Sequence, residues 1–205
     1  MPQVSATDPR RPEATTQEDT VTETTTTPQL TLAGDYVIDP AHSRIGFTAR
    51  HAMVTKVRGS FGEFAGTAHV DADPSASHTS LTIVAPSFTT GQEQRDGHVK
   101  SADFLDVENF PELTFRSTSV VAEGEVYRIT GDLTIRDTTK SITIDFESTG
   151  LAKDPFGNIR AGFEGTTTIN RKDYGITFNA ALETGGVLVS DKIGLEFDIS
   201  AIKTA

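Results

Sequence analysis

Residues 127–147, YRITGDLTIRDTTKSITIDFE, decide the fold. Tyr127, Ile129, Leu133 and Ile135 share one parity, and Arg128, Thr130, Asp132, Thr134 and Arg136 the other. After a polar break at RDTTK (136–140) the alternation resumes, with Ile142, Ile144 and Phe146 set against Thr143, Asp145 and Glu147. A strand turns successive side chains to opposite faces, so this stretch predicts two antiparallel strands, each dry on one face and wet on the other.

The same pattern extends outward in both directions. Ile45 and Phe47 oppose Arg44 and Thr48; Phe64, Ala68 and Val70 oppose Glu63, Thr67 and His69; Ile193, Leu195, Phe197 and Ile199 oppose Lys192, Glu196, Asp198 and Ser200. Turn signals separate these runs: DADPSAS at 71–77, AEGE at 122–125, DPFGN at 154–158 and ETGG at 183–186. One-faced strands with no helical layer to cover them predict a sheet closed on itself, an all-β, antiparallel, up-and-down β-barrel of about eight strands. Glycines inside the strands, such as Gly46, Gly131 and Gly165, suit a strongly bent wall. The inward set is Phe47, Phe64, Ile83, Phe115, Ile129, Leu133, Ile144, Phe146, Phe163, Leu195 and Phe197. Parity fits a packed core and an apolar tunnel equally well.

One long segment breaks the alternation: SFTTGQEQRDGHVKSADFLDVENFPELTFRS, 87–117. It gathers Arg95, Asp96 and His98 in four residues, then Phe104, Leu105, Val107 and Phe110 before Pro111. The apolar group reads as a cover over the barrel. The polar group has three readings. It can pin the segment, with Arg95 on Asp96 or another carboxylate and His98 on a backbone carbonyl. It can meet a ligand head group. It can be catalytic, with His98 a base oriented by Asp96, although no G-x-S-x-G elbow accompanies it. Asp39, His42 and Ser43 read as turn chemistry, and Asn170–Gly175 as a tight connection, with Gly175 at positive φ and Arg171 or Asp173 tying the loop. The five histidines (42, 51, 69, 78, 98) have no metal-ligand spacing, so no metal is expected.

Composition narrows the classes. The 205 residues carry a net charge of −11, which argues against nucleic acid or an anionic membrane as a preferred partner. No run of about 20 apolar residues is present, so no membrane span is expected. Cysteine is absent, which removes disulfides and thiolate chemistry. Residues 1–33 are rich in Thr, Pro and acids without an aromatic, and predict a disordered tail before a domain at 34–205. The cluster TTQEDTVTETTTT (15–27) suggests phosphorylation read by a phosphothreonine-binding partner. The N-terminus shows no apolar signal region, and a cytoplasmic location is expected.

Five groups of residues follow in order: Tyr36-Val-Ile-Asp-Pro-Ala-His-Ser43; Gly59-Ser-Phe-Gly-Glu-Phe64; Arg95-Asp-Gly-His98 with Ser101–Val107, Phe110-Pro111 and Phe115-Arg-Ser117; Gly131–Ile135; and Ile169–Gly175. Together they resemble the YceI-like family of polyisoprenoid-binding proteins. Val99 stands where the family more often has Leu, and the usual secretory signal is not seen. The resemblance implies a lipocalin-like barrel with a short helical excursion near 91–109. It also implies a lumen that holds an isoprenoid lipid, of polyprenyl or isoprenoid-quinone type, as carrier or sequestering protein. On that reading Phe104 joins the inward residues as a lipid contact, the lipid is the ligand, no other cofactor is expected, and the protein is not an enzyme. A second copy of the chain, as a homodimer, is a further candidate partner. The competing classes are an enzyme acting on a lipid-like substrate through His98 and Asp96, and a regulatory module whose tail is the working part.

Overall fold

The computed structural model describes residues 30–183 and 185–204. Eleven strand segments form eight long staves. The first is β1 (Gly34–Ile38) continued by β2 (Arg44–His51), the second β3 (Thr55–Phe61) continued by β4 (Phe64–Val70), and the third β5 (His78–Val84) continued by β6 (Phe88–Thr89). β7 (Glu112–Glu123), β8 (Val126–Ile135), β9 (Thr138–Lys153), β10 (Ile159–Asn170) and β11 (Lys192–Lys203) complete the set. Each stave pairs antiparallel with the next, and β11 returns to the first, opposite β1 at one end and β2 at the other. The barrel is therefore closed, antiparallel and up-and-down, as the alternation predicts.

The breaks within staves have local causes. Between β1 and β2, Asp39 accepts from the Ala41 N–H (3.0 Å) over a single 3-10 turn, Pro40–His42. His42 and Arg160 bond the other carboxylate oxygen at 2.7 and 2.6 Å. Ser43 donates to the Ser200 carbonyl, so this trio is turn chemistry. Between β3 and β4 the chain kinks at Gly62–Glu63, and Phe61 and Phe64, three apart, both end up buried. An unbroken strand would turn them to opposite faces.

Glycines let rings lie against the wall where staves curve. Gly165 faces Phe146 in register, and a Cβ there would meet the Phe146 ring at 2.5 Å. The core runs along the barrel axis, through Ile45, Ile83, Phe115, Leu133, Ile144 and Phe197, with a smaller cluster of Tyr36, Ala161 and Ala201 at the end where the chain enters.

Two expectations are adjusted. Of the tail set at 1–33, residues 1–29 lie outside the described residues, and so does the Thr cluster. Residues 31–33, however, are tied to the barrel: Tyr36 donates to the Leu32 carbonyl (2.6 Å), and Lys203 to the carbonyls of Thr31 and Ala33. The helical excursion is also shorter than 91–109. Only α1 (Glu93–Lys100) is helical, and hydrogen-bonded turns carry the chain from Ser101 to Phe110.

Candidate functional site

α1 has no apolar stripe to hold it down; its buried residue is Asp96. Gln92 caps it by accepting from the Arg95 N–H. The Asp96 carboxylate reaches back to the end of β6, where Thr89 Oγ1 (2.9 Å), the Thr90 N–H (2.9 Å) and Thr90 Oγ1 (2.5 Å) all donate to it. Burial pushes this carboxyl upward, but the hydrogen bonds from Thr90 and Thr89 and the nearby Arg95 charge outweigh it and hold Asp96 below the ordinary range. Arg95 donates from Nε to Thr90 Oγ1 (2.7 Å), and not to Asp96. Past the helix, turns with Leu105 N–H on the Val99 carbonyl and Val107 N–H on that of Lys100 fold Phe104, Leu105 and Val107 against the core. Phe110 closes the segment beneath the Arg136 guanidinium, 5.5 Å from its ring centre.

The catalytic reading of Asp96 with His98 does not survive this geometry. Residues two apart on a helix point in widely different directions. His98 Nε2 instead contacts Asp103 Oδ2 at 2.9 Å, and its ring meets Phe104 and Phe178 edge-on. Nor does His98 bond a backbone carbonyl, as the pinning reading supposed; the pin is Asp96.

The second half of the lid comes from residues 171–178 and 188–191. Arg171 is buried, donating from Nε to the Ser190 carbonyl (3.0 Å) and from Nη1 to those of Ile176 and Phe178 (2.8 Å each), with Nη2 3.4 Å from Asp191. Burial lowers its pKa, partly offset by Asp191. Gly175 takes the expected positive φ of 72°. This connection brings Ile176, Phe178, Leu188 and Val189 over the barrel end.

Between these covers and the strands lies a cavity of about 740 Å³, within the range of small-molecule sites, ~300–1,000 Å³. Its wall includes Phe47, Ala49, Val57, Phe88, Phe104, Leu105, Ile169 and Ile193. Thr90, Gln92, Gln94, Arg95 and His98 stand along its α1 side, and Arg50 and His51 along the β2 side. A second compartment of about 150 Å³ occupies the other end of the lumen, lined by Ile83, Phe115, Ile129, Leu133, Ile144, Phe146, Phe163 and Phe197. Phe61, Leu113, Ile135 and Leu195 border both.

Of the inward apolar candidates, Phe47 and Phe104 thus face the large compartment, Leu195 stands between the two, and all the others except Phe64 face the small one. Phe64 differs: it is buried in the packed core and lines neither cavity. The kink at Gly62 gives that place to Phe61. Parity reading also missed Phe88, Ile176, Phe178 and Val189, because they lie in short or irregular segments, and Ile169, at the end of β10, a strand whose alternation is interrupted by glycines and threonines. The signal that could have found them is the apolar content of the loops, in Ile176-Thr-Phe178 and Val187-Leu-Val189.

Known proteins align with this chain as follows. The family described as YceI-like domain matches residues 36–201. The UPF0312 protein SA2479 of Staphylococcus aureus (strain N315) is 40% identical over 164 residues, covering 79% of this chain and 94% of the relative. The Campylobacter jejuni YCEI protein superposes with a TM-score of 0.65 at 26% identity, over 76% of this chain and 90% of that one. Burkholderia cenocepacia BcnA superposes at 0.70 with 22% identity, over 80% and 98%. A polyisoprenoid binding domain from Saccharophagus degradans superposes at 0.64 with 14% identity, over 82% and 98%. At those identities the last two share the fold.

Proposed function

The chain belongs to the YceI-like family, and from that premise we propose that it binds an isoprenoid lipid in the barrel lumen, as a carrier or sequestering protein rather than an enzyme. The observation that carries this is the largely apolar cavity of about 740 Å³ under the two covers, continued by a smaller apolar compartment. Natural cores are packed to the density of organic crystals, so an apolar space of this size is kept for a guest. Each methylene of that guest gains about 0.8 kcal/mol on leaving water, without directional contacts. A long, narrow, branched hydrocarbon suits two compartments set end to end along the barrel axis. Its polar head would meet Gln92, Gln94, Arg95 and His98 at the edge. The description of one fold neighbour as a polyisoprenoid binding domain supports the same reading.

The test is organic extraction of protein purified from its native cells, followed by mass spectrometry. A polyprenyl or isoprenoid-quinone species at near-stoichiometric amount is expected. Repeated recovery of protein without any such lipid rejects the proposal.

A further inference from the structure

The β2–β3 turn is the anomaly on the outside of this barrel. It holds Met53 and Val54 at 52% and 78% exposure. Ala52 (φ 51°) and Met53 (φ 61°) both adopt left-handed backbone, a region that favours Gly or Asn. The Val54 N–H closes the turn on the His51 carbonyl (3.1 Å), and the Ala52 N–H bonds the Leu188 carbonyl (2.7 Å). That second bond sets the tip beside Leu188, next to which Val187 is also exposed. His51 and Leu188 line the large compartment, so the apolar tip stands at its edge.

Behind the tip runs a strip of positive charge. Arg50 and Lys56 face each other in register across β2 and β3, and Arg58 pairs with Thr48 one step further on. All three are exposed, and among the described residues none forms an ion pair. Like charges directly opposite on a sheet are unfavourable on their own account. Here they persist beside large exposed hydrophobes, in a chain whose net charge is −11.

We propose that this hairpin docks the edge of the large compartment onto an anionic lipid bilayer. Met53 and Val54 enter the head-group layer while Arg50, Lys56 and Arg58 meet lipid phosphates. Shallow apolar anchors backed by basic residues are what interfacial binding needs. The overall negative charge does not forbid this, because salt screens it beyond about 8 Å while the strip lies at contact. Phe156, 90% exposed in the β9–β10 turn at the opposite end, lacks such a strip. Lys153 and Asp154 flank it, and the nearby Arg160 is already paired with Asp39 and Asp154. The surface is read from the hairpin at the cavity's edge, where Arg50 also borders the large compartment while Lys56 and Arg58 do not, and it does not rest on the lumen proposal.

The test is co-sedimentation of the full chain with vesicles of mixed phosphatidylcholine and phosphatidylglycerol, and with phosphatidylcholine alone. Binding to the mixed vesicles is expected, falling about five-fold for each of Arg50→Gln, Lys56→Gln and Arg58→Gln. Met53→Ser with Val54→Ser is expected to lower it ten-fold or more, and Phe156→Ser to leave it unchanged. The chain has no tryptophan, so Val54→Trp supplies a single reporter whose emission should shift to the blue on mixed vesicles only. Failure of the wild type to sediment, undiminished binding by the tip variant, loss that follows Phe156→Ser, or a tip-dependent dimer that ignores vesicles would each overturn the proposal. Vesicle binding is read independently of lumen contents, so its failure leaves the extraction result standing.

Discussion

Asp96 accepts hydrogen bonds from both the backbone N–H and the hydroxyl of Thr90, which ties the lid helix to the end of β6. Because α1 buries little apolar surface, this carboxylate is the helix's main attachment. Asp96→Ala should cost about 1.5–3 kcal/mol, the net worth of hydrogen bonds to a charged group, here donated by the exposed Thr89 and the half-buried Thr90. The Asp96 pKa is depressed in the fold, so its contribution is fully present above the unfolded value, ~3.9, and is lost as pH falls through the lower folded value. Amide exchange over 93–107 should quicken in the variant at neutral pH. Unchanged protection there would show that the Phe104–Val107 packing alone holds the lid.

Gly97 sits in the middle of α1, and a Cβ built there meets nothing within 4 Å. Gly97→Ala should therefore stabilise the helix by about 0.5–1 kcal/mol, through the entropy of the unfolded chain. A firmer lid should also slow exchange of a bound lipid between protein and vesicles. Slower amide exchange in α1 with faster lipid exchange would mean that the guest does not pass this lid.

Arg171 distributes its guanidinium over three backbone carbonyls, a pattern a single ammonium does not reproduce. Arg171→Met should lower stability by about 3–5 kcal/mol, with the buried acceptors left bare. Arg171→Lys should recover only part of this. Chemical denaturation of the three proteins measures the ranking, and a lysine variant as stable as wild type would contradict it.

Most of the barrel was legible because its staves bury one face, and period two records that in the residues themselves. Ile129, Leu133, Ile144 and Phe197 could be placed by counting. The lid was legible only as an interruption, since α1 is held by Asp96 and carries no helical stripe. Parity points to Phe64 and passes over Phe61, because the Gly62 kink changes parity without leaving a periodic trace. The Arg171 connection was read as a tie, and its apolar residues over the lumen were not, because irregular backbone has no period to follow.

Asp39 and Asp154 share Arg160, which clamps the β9–β10 turn to the break in the first stave. Asp154 is lowered to about 2 by the Asn158 side chain and by Arg160, against the opposing effect of burial. Asp39 is lowered by Arg160 and then by His42. Both depressed carboxylates lend stability above the ordinary Asp value, and that stability is lost as pH falls toward 2. Arg160→Gln should move the acid-unfolding midpoint, followed by circular dichroism, to higher pH. A midpoint that stays in place would show that the turn's own Asn158 bonds suffice.

Phe61 borders both lumen compartments, in company with Leu113, Ile135 and Leu195. Its ring also packs against Phe88 and Phe47, with centroids 5.7 and 6.3 Å away, so truncating it opens space toward the large side. If lipid threads from one compartment to the other, this constriction sets how far it reaches. Phe61→Ala costs about 3–5 kcal/mol in the empty protein, and a longer guest would recover part of that by filling the gap. Ala49→Phe, placed in the large compartment away from the constriction, should act oppositely and shorten the guest. Extracts of the three proteins, loaded in the same cells and compared by mass spectrometry, should show chain length rising for Phe61→Ala and falling for Ala49→Phe. Equal length distributions in all three would mean that the guest stays within the large compartment, and that Phe61 is a packing residue and not a gauge of length.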